Sequence, residues 1–128
     1  VSAPDLGAVA IKAALERAGI SPDMVGEVVL GNALQATEAG YAARLSSLRA
    51  GVPEEVPTIA INRQCSSGLE AINMAAQLGR TGEVEIAVAG GTENMSQAPH
   101  VLRGVGFEKL EKNQSAIGEL AEKGMAPD

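Results

Sequence analysis

The sequence predicts an α/β fold with a mostly parallel sheet, and three observations carry that expectation. Short apolar runs alternate with stretches of helical periodicity, the order expected of strands and helices in layers. Val84-Glu85-Ile86-Ala87-Val88-Ala89-Gly90-Gly91 is nearly continuous apolar sequence. Such a run suits a strand covered on both faces, as in a parallel sheet. Glycine and proline punctuate the chain where helices and strands must end. Parallel strands joined through helices imply right-handed crossovers.

The elements follow in order. Ser2-Ala3-Pro4-Asp5 opens a helix, with Ser2 as N-cap and Asp5 three residues on. Leu6, Val9, Ala10, Ala13 and Ala14 fall at helical spacing and are the expected buried stripe. Gly19 is the expected left-handed residue at its end. Ser21-Pro22 starts a short turn, and Glu27 to Asn32 reads as a strand. A second helix is expected from about Tyr41 to Ala50, ended by Gly51 and Pro53. Pro57 starts the strand that leads to Cys65. In it Ile59 and Ile61 alternate with Thr58, Ala60 and Asn62, the pattern of one apolar face. Ser67 and Glu70 have capping-box spacing for the next helix, which ends near Gly79 or Gly82. Residues 104–128 mix glycines and both charges and stay unassigned.

The 128 residues are enough for one domain. Apolar residues make up 45%, but there is one Phe, one Tyr and no Trp. The core therefore comes from Val, Ile, Leu, Met and many Ala, and small residues allow close helix–sheet contact. The net charge of −6 argues against nucleic acid as a partner. Arg103, Lys109 and Lys112 stand among Glu108 and Glu111, which reads as a solvated face rather than a phosphate site. No apolar run reaches the length of a membrane span, so no membrane partner is expected. No metal-binding pattern is present either. A single cysteine forms no internal disulfide, which is compatible with a reducing, cytoplasmic setting. No signal peptide is visible. The first residue is not Met, so organelle targeting stays open.

Cys65 is that single cysteine, and it lies between the strand ending near Asn62 and the helix beginning near Ser67. A free cysteine usually behaves as a small buried hydrophobe. Here its neighbours Asn62, Arg63, Gln64, Ser66 and Ser67 are polar. A strand-to-helix turn faces the helix N-terminus, where unpaired N–H groups favour an anion. A thiolate is such an anion and is the nucleophilic form. Arg63 adds positive charge nearby. Backbone N–H groups of the same turn are candidate donors to the oxyanion of a tetrahedral intermediate. Gly90-Gly91 reads either as turn chemistry or as a place where backbone comes close to a reaction centre. It lacks the spacing of a dinucleotide fingerprint. Glu93 is expected to hold structure by hydrogen bonds.

Asn62-Arg63-Gln64-Cys65-Ser66-Ser67-Gly68-Leu69-Glu70-Ala71 resembles the nucleophile signature of the thiolases. Gly31 to Ala36, Ala43 to Pro53 and Ala89 to His100 resemble further segments of that family, in the same order. The resemblance covers about residues 3–103. It implies a thiolase-like layered fold, of which this chain is a partial N-terminal half. The expected division is residues 1–103 as that half and 104–128 as a tail, where the family's loop domain would begin. The segments that hold the family's catalytic histidine and second cysteine have no match here. His100 does not fit that histidine motif and is expected to be a solvated loop residue.

The resemblance further implies the chemistry. Cys65 takes an acyl group from a coenzyme A thioester, and thiolytic cleavage or Claisen condensation of a 3-ketoacyl-CoA follows, as in fatty acid metabolism. Coenzyme A and acyl-CoA enter as substrates, and no resident cofactor is expected. The remaining catalytic groups would come from sequence not present in this chain, so the chain by itself is expected to be inactive. Two alternatives stand beside this. One is another Cys-dependent condensing enzyme, such as a 3-ketoacyl-carrier-protein synthase, although Gly90 to Ser96 favours the thiolases. The other is a non-catalytic thiolase-like subunit that assembles with a second chain. The strand before Cys65 matches one at the family's dimer interface, so a homo-oligomer, dimer or tetramer, is expected. The family's first strand lies between those matched by Glu27–Asn32 and Val84–Gly91, and it is missing here. The expectation is a central gap in the sheet and a chain that does not fold cooperatively alone.

Overall fold

Three parallel strands, β1 (Glu27–Gly31), β2 (Thr58–Ile61) and β3 (Ala87–Gly91), lie side by side in the order β2-β1-β3 in the computed structural model, which describes residues 1–99. Helix α1 (Ala3–Ala18) precedes β1, α2 (Ala42–Arg49) joins β1 to β2, and α3 (Ser67–Thr81) joins β2 to β3. The α/β class with a parallel sheet is thus as expected. His100 and residues 104–128 lie outside the described residues, as does the expected boundary at 103.

The central gap does not exist. Glu27 to Gly31 pair directly with Ala87 to Gly91 in parallel, and Val28 to Gly31 pair with Thr58 to Ile61. Backbone groups of β1 therefore find partners on both sides. The strand covered on both faces is β1, not the one expected: Val28 and Val29 are fully buried and Leu30 nearly so. β3 lies at one edge of the described sheet and is only half-buried. It begins at Ala87, after Ile86 has accepted a bond from the Gly26 amide at 2.8 Å. Being apolar along its length does not make a strand central.

Alternation along β1 divides the core in two. Val28 and Leu30 point to α1 and α2, where Ala8, Ile11, Leu15, Ala43, Ala50, Val52 and Val56 pack. Val29 points the other way and meets Ile61 and Ala71, with Ile59, Met74, Ala75 and Leu78 around them. Ile59 and Ile61 thus share the apolar face that their spacing predicts.

Helix α1 begins as its sequence dictates. The Ser2 hydroxyl accepts from the Asp5 amide at 3.3 Å and donates to the Asp5 carboxylate at 2.8 Å. That hydroxyl above all, and also the Arg49 guanidinium 2.8 Å away, hold the Asp5 carboxyl below the usual carboxylate range, against the opposing effect of desolvation. Gly19 ends the helix at φ +67°. The buried stripe, however, is Ala3, Pro4, Gly7, Ala8, Ile11 and Leu15. Leu6, Val9, Ala10 and Ala14 are exposed and Ala13 is half-buried. The period is right and the phase is wrong. Its cause is the close approach of α2: the Ser46 hydroxyl sits against Gly7 and donates to the Pro4 carbonyl at 2.9 Å. Only a face of small residues admits that contact, so Leu6 and Val9 turn outward.

Candidate active site

The carboxyl ends of all three strands gather polar residues: Asn32 after β1, Asn62 to Cys65 after β2, and Thr92 and Glu93 after β3. In open α/β sheets this edge is where ligands bind, at the point where strand order reverses. β1 is that point, because its neighbours β2 and β3 follow it on opposite sides.

Helix α3 approaches this edge very closely. A β-carbon at residue 31 would lie 2.5 Å from the Gly68 nitrogen, and one at residue 91 would lie 3.3 Å from the Gly68 Cα. Gly31 and Gly91 thus let the first turn of α3 rest on the strand ends. At Gly91 the close approach is to the Gly68 backbone of α3, while a β-carbon at residue 90 would meet nothing within 4 Å.

Between β2 and α3 the chain makes a tight turn. Gln64 is left-handed, with φ +53°. Its amide donates to Asn62 Oδ1 at 3.1 Å. The Ser67 hydroxyl accepts from the Arg63 amide at 2.8 Å and donates to the Gln64 carbonyl at 2.6 Å. The Ser66 hydroxyl donates to the Arg63 carbonyl at 2.7 Å. Cys65 stands in this turn, and it is exposed. Among the described residues it is therefore not buried as a small hydrophobe would be.

Two expectations about the turn are corrected. Ser67 and Glu70 form no capping box. Ser66 is the N-cap residue, without a side-chain cap bond, and Ser67 is already helical. The Ser67 hydroxyl is used by the turn, and the Glu70 carboxylate takes the Arg63 guanidinium at 2.9 Å. The charge of Arg63 is therefore matched by Glu70 instead of standing free beside Cys65. The expected backbone donors are partly engaged as well. The Ser66 and Ser67 amides donate to the Arg63 and Gln64 carbonyls at 3.2 and 3.1 Å. Among the described residues, no acceptor takes the amides of Cys65, Gly68 and Leu69.

Glu93 does hold structure. Its carboxylate accepts from the Ala33 amide at 2.8 Å, the Leu34 amide at 3.3 Å and the Asn32 side chain at 3.0 Å. Asn32 is 2% exposed and also donates to the Thr92 carbonyl at 2.8 Å, while its own Oδ1 has no partner among the described residues. Asn62 Nδ2 donates to the Ala33 carbonyl at 3.0 Å. The bracing roles of Asn32 and Asn62 and the left-handed Gln64 are not visible in the sequence. Nothing in an Asn or Gln at a strand exit announces them. Among the described residues no cluster of His, Cys, Asp and Glu suits a metal ion, and no helix is long and apolar enough to cross a membrane.

Comparison with known proteins agrees with this geometry. The family described as thiolase, N-terminal domain matches residues 1–127. An acetyl-CoA acetyltransferase of Cupriavidus necator is 53% identical over 104 residues, covering 81% of this chain and 26% of the relative. A probable acetyl-CoA acetyltransferase of Mycolicibacterium smegmatis is 48% identical over 101 residues, covering 79% of this chain and 26% of the relative. A probable acetyl-CoA acyltransferase of Staphylococcus aureus is 38% identical over 125 residues, covering 98% of this chain and 32% of the relative. The chain thus spans about a quarter to a third of the length of these relatives.

Proposed function

The chain belongs to the thiolase family, and from that premise we propose that it supplies the nucleophile for acyl transfer between coenzyme A thioesters. One observation carries the reading: Cys65 is exposed on a tight turn at the carboxyl edge of the sheet, directly before α3. The names of the relatives supply the substrate class.

The Cys65 thiolate attacks the C3 carbonyl of a 3-ketoacyl-CoA. A carbon–sulfur bond forms, then the C2–C3 bond breaks, and acetyl-CoA leaves after its enolate carbon takes a proton. The acyl group stays on Cys65 as a thioester. Free coenzyme A thiol then attacks that thioester, forming an acyl-CoA and releasing Cys65. Run backwards, the same steps are a Claisen condensation. Splitting one hard step into two is the advantage of a covalent nucleophile. The turn's contribution is position and backbone dipole. The amides of Cys65, Gly68 and Leu69 are the donors that this turn offers to a developing oxyanion.

The sequence holds one cysteine and one histidine. The groups that deprotonate Cys65 and protonate the enolate therefore belong, in this reading, to sequence beyond this chain. The native enzyme is proposed to be at least a dimer, with coenzyme A and acyl-CoA as its small-molecule partners. The matches favour the thiolase reading over a carrier-protein synthase.

Replacing Cys65 by Ser or Ala in the native enzyme tests the proposal. Thiolysis of acetoacetyl-CoA should fall by at least about a thousandfold, as loss of a nucleophile does elsewhere. A labelled acetyl group should appear on the Cys65 peptide. Activity near wild type in a folded Cys65→Ser enzyme overturns the acyl-enzyme step and leaves the non-catalytic alternative.

A further inference from the structure

We propose that Asn62 and Glu93 are positioning residues that hold the Cys65 turn in its working shape through one continuous brace; this rests on the acyl-transfer reading above. The brace begins at Gln64. An L-residue with φ near +53° brings its β-carbon close to backbone, and only glycine escapes that cost. Something must hold residue 64 there. Its amide is held by Asn62 Oδ1 at 3.1 Å, and its carbonyl by the Ser67 amide and hydroxyl at 3.1 and 2.6 Å, so the peptides on both sides of residue 64 are fixed.

Asn62 is itself held. Its Nδ2 donates to the Ala33 carbonyl, so both ends of the amide are used: one on the turn, one on the exit of β1. Ala33 is fixed from its other side, where its amide donates to Glu93 Oε2 at 2.8 Å. The second carboxylate oxygen takes the buried Asn32 side chain, which also bonds the Thr92 carbonyl. A bond to an ionised acceptor is shorter and stronger than a neutral one. Glu93 therefore anchors the peptide that anchors Asn62, which anchors the Arg63–Gln64 peptide, one residue before Cys65. The line touches the exits of β3, β1 and β2 in turn. Each of these exits is joined to a strand of the same sheet.

Thr92 and Asn32 tie the same edge to the sheet. The Thr92 amide donates to the Gly31 carbonyl, and the Asn32 amide to the Ile61 carbonyl, both at 3.0 Å. The brace thus rests on rigid elements, the condition for holding a reacting atom within a fraction of an ångström. Cys65 has no side-chain clamp of its own among the described residues. Its direction follows from the peptide planes on either side, and residue 64 sets one of them.

The test uses the native enzyme and acetoacetyl-CoA, with circular dichroism to establish folding. Asn62→Ala frees the Gln64 amide. It should lower kcat by about 10- to 100-fold, since misplacement by about 1 Å costs that much, while KM stays within about threefold. Alkylation of Cys65 by iodoacetamide should change in rate as well. The double variant Asn62→Ala with Gln64→Gly is the decisive arm. Glycine adopts the left-handed conformation without the side-chain penalty, so much of the lost kcat should return. Glu93→Asp keeps the charge but shortens the brace by one methylene, and it should also lower kcat more than it changes KM. Wild-type kcat in both Asn62→Ala and Glu93→Asp, or a loss that Gln64→Gly does not relieve, overturns the proposal. Cys65→Ser run in parallel separates the two ideas. An active Cys65→Ser enzyme overturns the acyl-transfer reading; an inactive one beside unimpaired Asn62→Ala and Glu93→Asp enzymes overturns only the brace.

Discussion

The two faces of the sheet are built to different standards. On one, α1 and α2 close over Val28 and Leu30, and the helices contribute Ala8, Ile11, Leu15 and Ala43 to a continuous core. On the other, α3 covers Val29 and Ile61 with its inner side, but only Ser67 and Ala71 of its residues are fully buried. Leu69 is 64% exposed and Ile72 is 52% exposed. A helix with apolar residues on more than one side is a helix made for more than one neighbour. Among the described residues α3 packs on one, the sheet. Covering what Leu69 and Ile72 still expose would contribute about 1–2 kcal/mol for each side chain. Within residues 1–99 the first face is filled from two helices and the second from one, although the outer sides of α1 and α2 also leave Leu6, Val9 and Leu48 exposed. The second also carries Cys65.

Paired truncations challenge this contrast most directly. Leu15→Ala should destabilise the chain by about 2–5 kcal/mol, because it leaves a cavity in the filled face. Leu69→Ala should change stability by less than about 0.5 kcal/mol, as exposed positions do. Urea unfolding of both variants measures this. Equal costs would mean that α3 is covered after all. These measurements presuppose a cooperative chain. Direct pairing of β1 with β3 removes the unpaired strand edges that argued against one, so a cooperative melt is now the expected result.

A smaller effect tests the tight end of α3. Gly31→Ala forces a methyl group against the Ser67–Gly68 backbone. Overpacking of this kind costs about 1–3 kcal/mol. It should also push the first turn of α3 away and lower the reactivity of Cys65 in the native enzyme. Unchanged stability and unchanged alkylation of Cys65 would show that the contact between the strand ends and α3 is not what seats the nucleophile.

The smallest effect is electrostatic and lies at the far end of β1. Burial first, and the nearby Glu83 second, raise the Glu27 carboxyl above the usual glutamate range. The raised folded value means that the fold favours the protonated form. Its contribution is full below the unfolded glutamate pKa and is lost as pH rises through the folded one. Glu27→Gln should therefore flatten the decline of stability across that window. It should be slightly more stable than wild type at neutral pH, by less than about 0.5 kcal/mol. Thermal melts at acidic and neutral pH check the sign. A variant less stable than wild type at neutral pH would contradict it.

The difference between the faces also explains what is legible in the chain. The strand–turn–helix around Cys65 and the Ser2 cap are local devices. So is the left-handed Gly19, and each can be read from a few adjacent residues. The buried stripe of α1 cannot, because the larger apolar residues, Leu6 and Val9, outweigh Gly7 and Ala8 in any reading of the segment alone. Helical period is a property of the segment, but phase is a property of the neighbour. The same holds for Ser67, whose hydroxyl has two uses open to it. Capping loses to the turn, because the Arg63 amide and the Gln64 carbonyl converge on it.

The alternation of helices and strands, the helix ends, and the place of Cys65 between a strand and a helix are all written in the linear chain. They depend on interactions within a few residues, whose geometry the backbone imposes. Folding in three dimensions was needed to make β1 the central strand and to bring α3 onto Gly31. It was needed as well to pair Arg63 with Glu70 and to let Glu93 brace Asn62 through Ala33. The links from the exit of β1 to Glu93 and from Asn62 to Ala33 join residues that are far apart in the chain and meet only once the sheet has formed. Hydrogen-bonding capacity can be read from a side chain, but its partner is chosen by whatever the fold brings within about 3 Å.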